Sequence, residues 1–141
     1  MTKLFLQQAQ NAANAEPRGY FAFAVVLLGD EGLIGQCGLT AIQGEEREAF
    51  LWYSFNRRFW NRGYATEAVR ALLQAALGQF GFKRVIAETH PDNIASARVM
   101  QKVGMIFEGV YEMPDRDGHI RPRLRYAICE IPRPGQRLPG T

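Results

Sequence analysis

Cysteine is scarce in this chain of 141 residues, with Cys37 and Cys129 as its two members. Both lie in apolar, strand-like stretches and show no metal-ligand spacing, so they read as small core residues in a reducing compartment. Neither is a strong nucleophile candidate, and no bound metal is expected. No apolar run approaches the ~20 residues that a membrane span needs. The start has no basic-then-apolar signal pattern, so the expectation is a cytoplasmic protein without a membrane partner. No Lys/Arg run is interleaved with aromatics, and nucleic acid is not expected as a partner. Excess charge is also small: the formal net charge of +3 would help attract an anion but is otherwise a solvated surface. The chain lacks a Gly-Lys-Ser/Thr phosphate loop and the triple-glycine dinucleotide fingerprint. Repeats and a second domain are missing too. The length fits one domain with a sizeable core, expected over residues 1–131.

What is present centres on Phe59-Trp60-Asn61-Arg62-Gly63-Tyr64-Ala65-Thr66-Glu67-Ala68. Before it runs an apolar, aromatic segment (Phe50, Leu51, Trp52, Tyr53, Phe55) that reads as a strand. After it the apolar residues recur at helical spacing. A strand-to-helix turn aims free N–H groups outward at the helix N-terminus, where the dipole favours negative charge. Gly63 has no side chain to block a ligand, and Ala65 has little. The expectation is a phosphate or pyrophosphate cradle.

A second segment follows, Pro91-Asp92-Asn93-Ile94-Ala95-Ser96-Ala97-Arg98-Val99-Met100-Gln101-Lys102-Val103-Gly104-Met105. Asp92 or Asn93 can cap a helix whose apolar face is Val99, Met100 and Val103. Lys102 falls in its last turn, and Gly104 takes the left-handed position beyond it.

The first segment resembles the acetyl-CoA loop of the GNAT acetyltransferases, Gln/Arg-x-x-Gly-x-Gly/Ala. More narrowly, it is similar to the branch that acetylates ribosomal-protein N-termini, with Tyr-Trp-Gly-Lys-Gly-Tyr-Ala-Thr-Glu-Ala. Trp60 departs from the Gln or Arg of the wider superfamily but is usual in that branch. The second segment resembles the family's Asn-x-x-Ser-x-Arg-Val-x-x-Lys-x-Gly-Phe, with Asn93, Ser96, Arg98, Val99, Lys102 and Gly104 in register. Thirty positions separate Gly63 from Asn93, and both order and spacing are those of the family.

Along the chain, Lys3 to Ala15 reads as a helix from the spacing of Leu4, Phe5 and Ala9, ended by Pro17 and Gly19. Tyr20 to Leu28 and Leu33 to Ile42 read as a hairpin, and Glu48 to Phe55 as the next strand. Gly35 and Gly38 mark a bulge or a close approach. The helix after the loop is expected from about Ala65 to Gln79, burying Val69, Leu72, Leu73, Ala76 and Leu77. Arg84 to Thr89 completes a strand–helix–strand unit with parallel strands. Ile106 to Met113 and Arg121 to Ile131 form a closing hairpin, and residues 132–141 carry too many prolines to pack. The fold class is α/β, an α+β mixed sheet. The resemblance makes it a GNAT acyl-CoA N-acyltransferase fold, shortened at its start by roughly thirty to forty residues against the family's usual domain length. Without the family's first strand, Tyr20 to Leu28 stands at a sheet edge, and a homodimer through that edge is expected.

The resemblance implies acetyl transfer from acetyl-CoA to a primary amine, on a peptide N-terminus or a small metabolite, with no metal. It places Arg62, Gly63, Tyr64, Ala65 and Thr66 on the pyrophosphate. It places Phe55 on the pantetheine arm and the thioester carbonyl, Asn93 on the pantetheine, and Ser96 beside the sulfur. The amine must arrive deprotonated, and the candidates for that work are Glu88 and His90; Tyr126 could donate a proton, and His119 is discounted. The competing reading is a non-catalytic module that binds acetyl-CoA.

Overall fold

In the computed structural model the described residues are 4–8, 20–27, 32–42, 44 and 47–129, with 4–8 and 20 described by their backbone alone. The strands are β1 (Leu4–Gln8), β2 (Tyr20–Leu27), β3 (Gly32–Ala41), β4 (Glu48–Phe55), β5 (Arg84–Thr89), β6 (Ile106–Pro114) and β7 (Ile120–Cys129). They form one mixed sheet in the order β1-β2-β3-β4-β5-β7-β6. The helices are α1 (Tyr64–Gln74), which runs on as a π-helical turn through Ala75–Gln79, and α2 (Ile94–Lys102). This matches the expected mixed-sheet fold class from the second strand onward. The last residues of the expected closing strand and the expected tail lie outside the described residues.

The start of the chain is a correction. Leu4–Gln8 is a strand, not part of a helix, and pairs antiparallel with β2 from Leu4↔Leu27 to Gln8↔Phe23; the rest of the expected helix, residues 9–15, is not described. The physical reason lies in β2. Its outer edge carries a row of main-chain donors and acceptors that a helix cannot satisfy and a short strand can. That row outweighs the local spacing of Leu4, Phe5 and Ala9. With β1 in place β2 is no longer an edge strand, so the expected dimer through that edge loses its premise.

One face of the sheet carries the core. α1 turns Ala68, Val69, Leu72 and Leu73 to it, and the π turn adds Ala76 and Leu77, while α2 contributes Met100. The sheet answers with Val25, Cys37, Leu39, Ala49, Leu51, Val85 and Ala87. Burial pushes the Cys37 thiol pKa up to about 12, which leaves it protonated and inert. Gly38 is required by proximity, since a Cβ there would run into the Trp52 ring and the Phe21 carbonyl. The expected close approach at this glycine is therefore real, and the register shift of the hairpin, opposite Val25 and Val26, places the extra residue Ile34 on β3 beside Gly35. Among the described residues no helix is long and apolar enough to cross a membrane.

Leu72 is fully buried, so Leu72→Ala should cost about 2–5 kcal/mol in stability. Gln74→Ala, on the exposed side of α1, should change it by less than about 0.5 kcal/mol. Urea unfolding of the two variants beside the parent checks both.

Candidate functional site

β4 and β5 run parallel but pair only over Glu48↔Arg84, Ala49↔Val85 and Phe50↔Ile86. Beyond Phe50, β4 stays in register with β3 as far as Phe55, and β5 with β7 as far as Thr89. The central strands therefore part. The Asn56 N–H donates to the Ile34 carbonyl and the Ile42 N–H to the Glu48 carbonyl, both at 2.9 Å. Those bonds show that even-numbered β4 residues turn their main chain to β3. By alternation, Tyr53 and Phe55 turn their N–H and C=O groups into the gap.

Trp60 engages one of these groups, its indole Nε1–H donating to the Phe55 carbonyl at 2.8 Å. The Phe55 N–H faces the gap beside it. Between β4 and α1 the chain makes a 3-10 turn (Arg57–Phe59) and then two left-handed steps, Asn61 at φ 62° and Gly63 at φ 82°. Gly63 is the N-cap of α1 and offers no side-chain hydrogen bond, so the first N–H groups of the helix stay available to a ligand. Among the described residues, none beyond its two chain neighbours has an atom within 4 Å of where a Gly63 Cβ would stand. At the second helix, Asn93 Oδ1 accepts the Ser96 N–H at 3.0 Å and caps α2. Gly104, at φ 94°, sits just past its end.

A cleft of about 380 Å³ lies between these parts. Of the expected residues it gathers Phe55, Gly63, Ala65, Thr66, Asn93 and Ser96. Arg98 and Lys102 also line it, and among the described residues no carboxylate does. The cleft is thus cationic and opens onto two helix N-termini, a combination that suits an anion.

Other expected residues stand apart from the lining. Arg62 is exposed on the loop, and Tyr64 packs its ring against Phe59 at 6.1 Å. Glu88 faces away from the helices, between the core residues Ala87 and Thr89. Its carboxylate accepts from Arg125 Nε at 2.9 Å and Nη2 at 2.7 Å, and Arg125 lies over the Tyr111 ring at 4.1 Å. Tyr126 is buried in the core, edge-on to Phe107 at 5.5 Å. His90 stands 3.6 Å from Asp115, and His119 3.2 Å from Asp117. The Arg121 and Arg123 guanidiniums hold the Asp115 carboxyl below the usual carboxylate range.

Sequence reasoning passed over two residues of the cleft. Tyr53 reaches across to α2, its phenol oxygen 2.6 Å from Ser96 Oγ. Burial raises its pKa and the Ser96 bond partly opposes that rise. The available signal was period two: Tyr53 shares the strand face of Phe55. Trp60, noted only for its departure from a motif, is the residue that ties the loop to β4.

A parted mixed sheet with a cationic cleft at the parting defines a class of α/β protein whose site between the central strands suits an anion. The chain belongs to the GNAT acetyltransferase family, whose domain model matches residues 1–106. An uncharacterized N-acetyltransferase, YnaD of Bacillus subtilis, is 38% identical over 90 residues, 64% of this chain and 52% of that protein. The structure of an acetyltransferase of the GNAT family from Bacillus anthracis superposes with a TM-score of 0.70 at 33% identity, covering 77% of this chain and 66% of that one. Mycobacterium smegmatis RimJ in complex with CoA-disulfide gives a TM-score of 0.69 at 26% identity, covering 78% and 53%. The chain spans about half the length of the YnaD protein.

Trp60→Phe keeps the ring and removes the donor to Phe55. It should weaken acetyl-CoA binding by about two- to tenfold, the worth of one net hydrogen bond. Titration calorimetry of parent and variant checks this.

Proposed function

We propose that the chain transfers an acetyl group from acetyl-CoA to a primary amine, by direct attack within a ternary complex. The observation that carries this reading is the cationic cleft at the parting of β4 and β5, bordered by the N-termini of both helices. The residues present fit the cosubstrate. The N–H groups of Arg62 through Thr66, the dipole of α1 and the Arg98 and Lys102 cations suit its phosphates. The outward main chain of Tyr53 and Phe55 suits the amides of its pantetheine arm. Acetyl-CoA supplies the activated acyl group as a thioester.

The Phe55 N–H is the donor for the oxygen on which negative charge develops. Ser96 presents its hydroxyl where charge collects on sulfur. Asn93 serves twice: Oδ1 caps α2, and its NH₂ remains to meet the pantetheine. Glu88 and Tyr126 do not line the cleft, so Glu88 would take the amine proton, and Tyr126 would give one, only through relayed water. The acceptor is a peptide N-terminus or a small-molecule amine, and the reaction belongs to the cytoplasm.

The engagement of Glu88 by Arg125 and the burial of Tyr126 favour a second reading, a module that binds acetyl-CoA without turnover. One assay separates the two: CoA thiol release from acetyl-CoA against a panel of peptide N-termini, amino acids and polyamines. Amine-dependent release supports the transferase. Binding by calorimetry with no release for any amine supports the module.

Two variants test the cradle. Gly63→Val forces a β-branched residue to positive φ and points its methyls into open cleft. It should lower acetyl-CoA affinity at least about fivefold, since strain of this kind costs about 1–3 kcal/mol. Parent-like binding by a folded Val variant would misplace the cradle. Asn93→Asp keeps the cap and removes the NH₂ donor, so it should keep thermal stability but weaken acetyl-CoA. Asn93→Ala should lose both, with about 1 kcal/mol of stability.

A further inference from the structure

We infer that Tyr53 is a positioning residue that turns the Ser96 hydroxyl proton toward the cleft. The inference rests on the reading of Ser96 as the group beside the CoA sulfur. Tyr53 belongs to β4 and Ser96 to the first turn of α2, so their contact bridges the gap between the parted strands. The phenol oxygen lies 2.6 Å from Ser96 Oγ and 3.2 Å from the Ser96 carbonyl oxygen. A phenol has one proton to give, and two arrangements are possible.

In the first, the phenol donates to Ser96 Oγ over the short distance. The serine proton then cannot point back at Tyr53 and is directed into the cleft that both residues line. In the second, Ser96 donates to the phenol oxygen, the phenol donates to the carbonyl at 3.2 Å, and no serine proton faces the cleft.

Distance and acidity select the first. O–H···O bonds are strongest below about 2.8 Å, and 3.2 Å lies beyond their usual range. A phenol is also a stronger acid than an aliphatic hydroxyl, so phenol-to-serine is the better donor–acceptor sense. Donation into Ser96 Oγ polarises the remaining O–H and makes it a stronger donor in its turn. Burial holds the Tyr53 pKa above its ordinary value, so the phenol keeps its proton and remains a donor. Tyr53 transfers no proton; it fixes where the serine proton points.

The thiol of bound CoA reports on this bond without any acceptor amine. The full chain saturated with CoA is titrated by ultraviolet thiolate absorbance, and desulfo-CoA affinity is measured by calorimetry. Tyr53→Phe and Ser96→Ala should each raise the bound thiol pKa by roughly 0.4 to 1 unit, the shift that one net hydrogen bond supports. The double variant should add little to either, and desulfo-CoA should bind all three like the parent. If Ser96→Ala moves the thiol and Tyr53→Phe does not, Tyr53 does not act through Ser96 and the inference is overturned. If Tyr53→Phe weakens desulfo-CoA as much as CoA, Tyr53 is only a strut between β4 and α2, which overturns it equally. If Ser96→Ala leaves the thiol unmoved, it is the reading of Ser96 that fails, and the role of Tyr53 fails with it. Tyr53→Leu, which also lacks the hydroxyl, repeats the comparison should the Phe variant not fold.

Discussion

Beyond Phe50 the two central strands no longer pair with each other, and the cleft exists because of that missing pairing. A sheet normally satisfies every interior N–H and C=O across its ladder. Here β4 remains paired to β3 on one side and β5 to β7 on the other. The parting leaves outward main-chain groups at Tyr53 and Phe55, a ready ladder for an extended ligand carrying its own amides. It also sets two helix N-termini side by side, since α1 follows β4 and α2 follows β5. Cavity, main-chain donors and dipoles have one origin.

Local bonds then hold the opening in shape. Trp60 fastens the loop to the end of β4 through the Phe55 carbonyl. On the opposite wall Asn93 caps α2 through the Ser96 N–H, and Tyr53 meets the Ser96 side chain. Ser96 is thus fixed at main chain and side chain by different partners. The charges follow the same division. Among the described residues Arg98 and Lys102 line the cleft with no carboxylate beside them, whereas Arg84, Arg121, Arg123 and Arg125 are each engaged by Asp or Glu elsewhere.

Much of this was legible beforehand because it is written locally. The strand Glu48–Phe55, the strand Arg84–Thr89 and the buried stripe of α1 follow from periods of 2 and 3.6. Asn93 as a cap and Gly104 as a left-handed stop follow from short-range backbone chemistry. The opening strand was not legible, because five residues with helical spacing and five with strand pairing look alike until β2 is beside them. Glu88 and Tyr126 looked available for acid–base work for a similar reason. A strand pattern says which residues share a face, and says nothing about an arginine on the next strand or a phenylalanine packed against the ring.

The sequence by itself determined the element order from Tyr20 onward, the two helix starts and the family, since each depends on residues within a few positions of one another. Tertiary structure alone decided three things: the sheet edge closed by β1, the parting of β4 from β5 after Phe50, and the meeting of Tyr53 with Ser96. Those two side chains are 43 positions apart. Nothing in either segment encodes a distance across a gap; the pairing of each strand with its outer neighbour sets it.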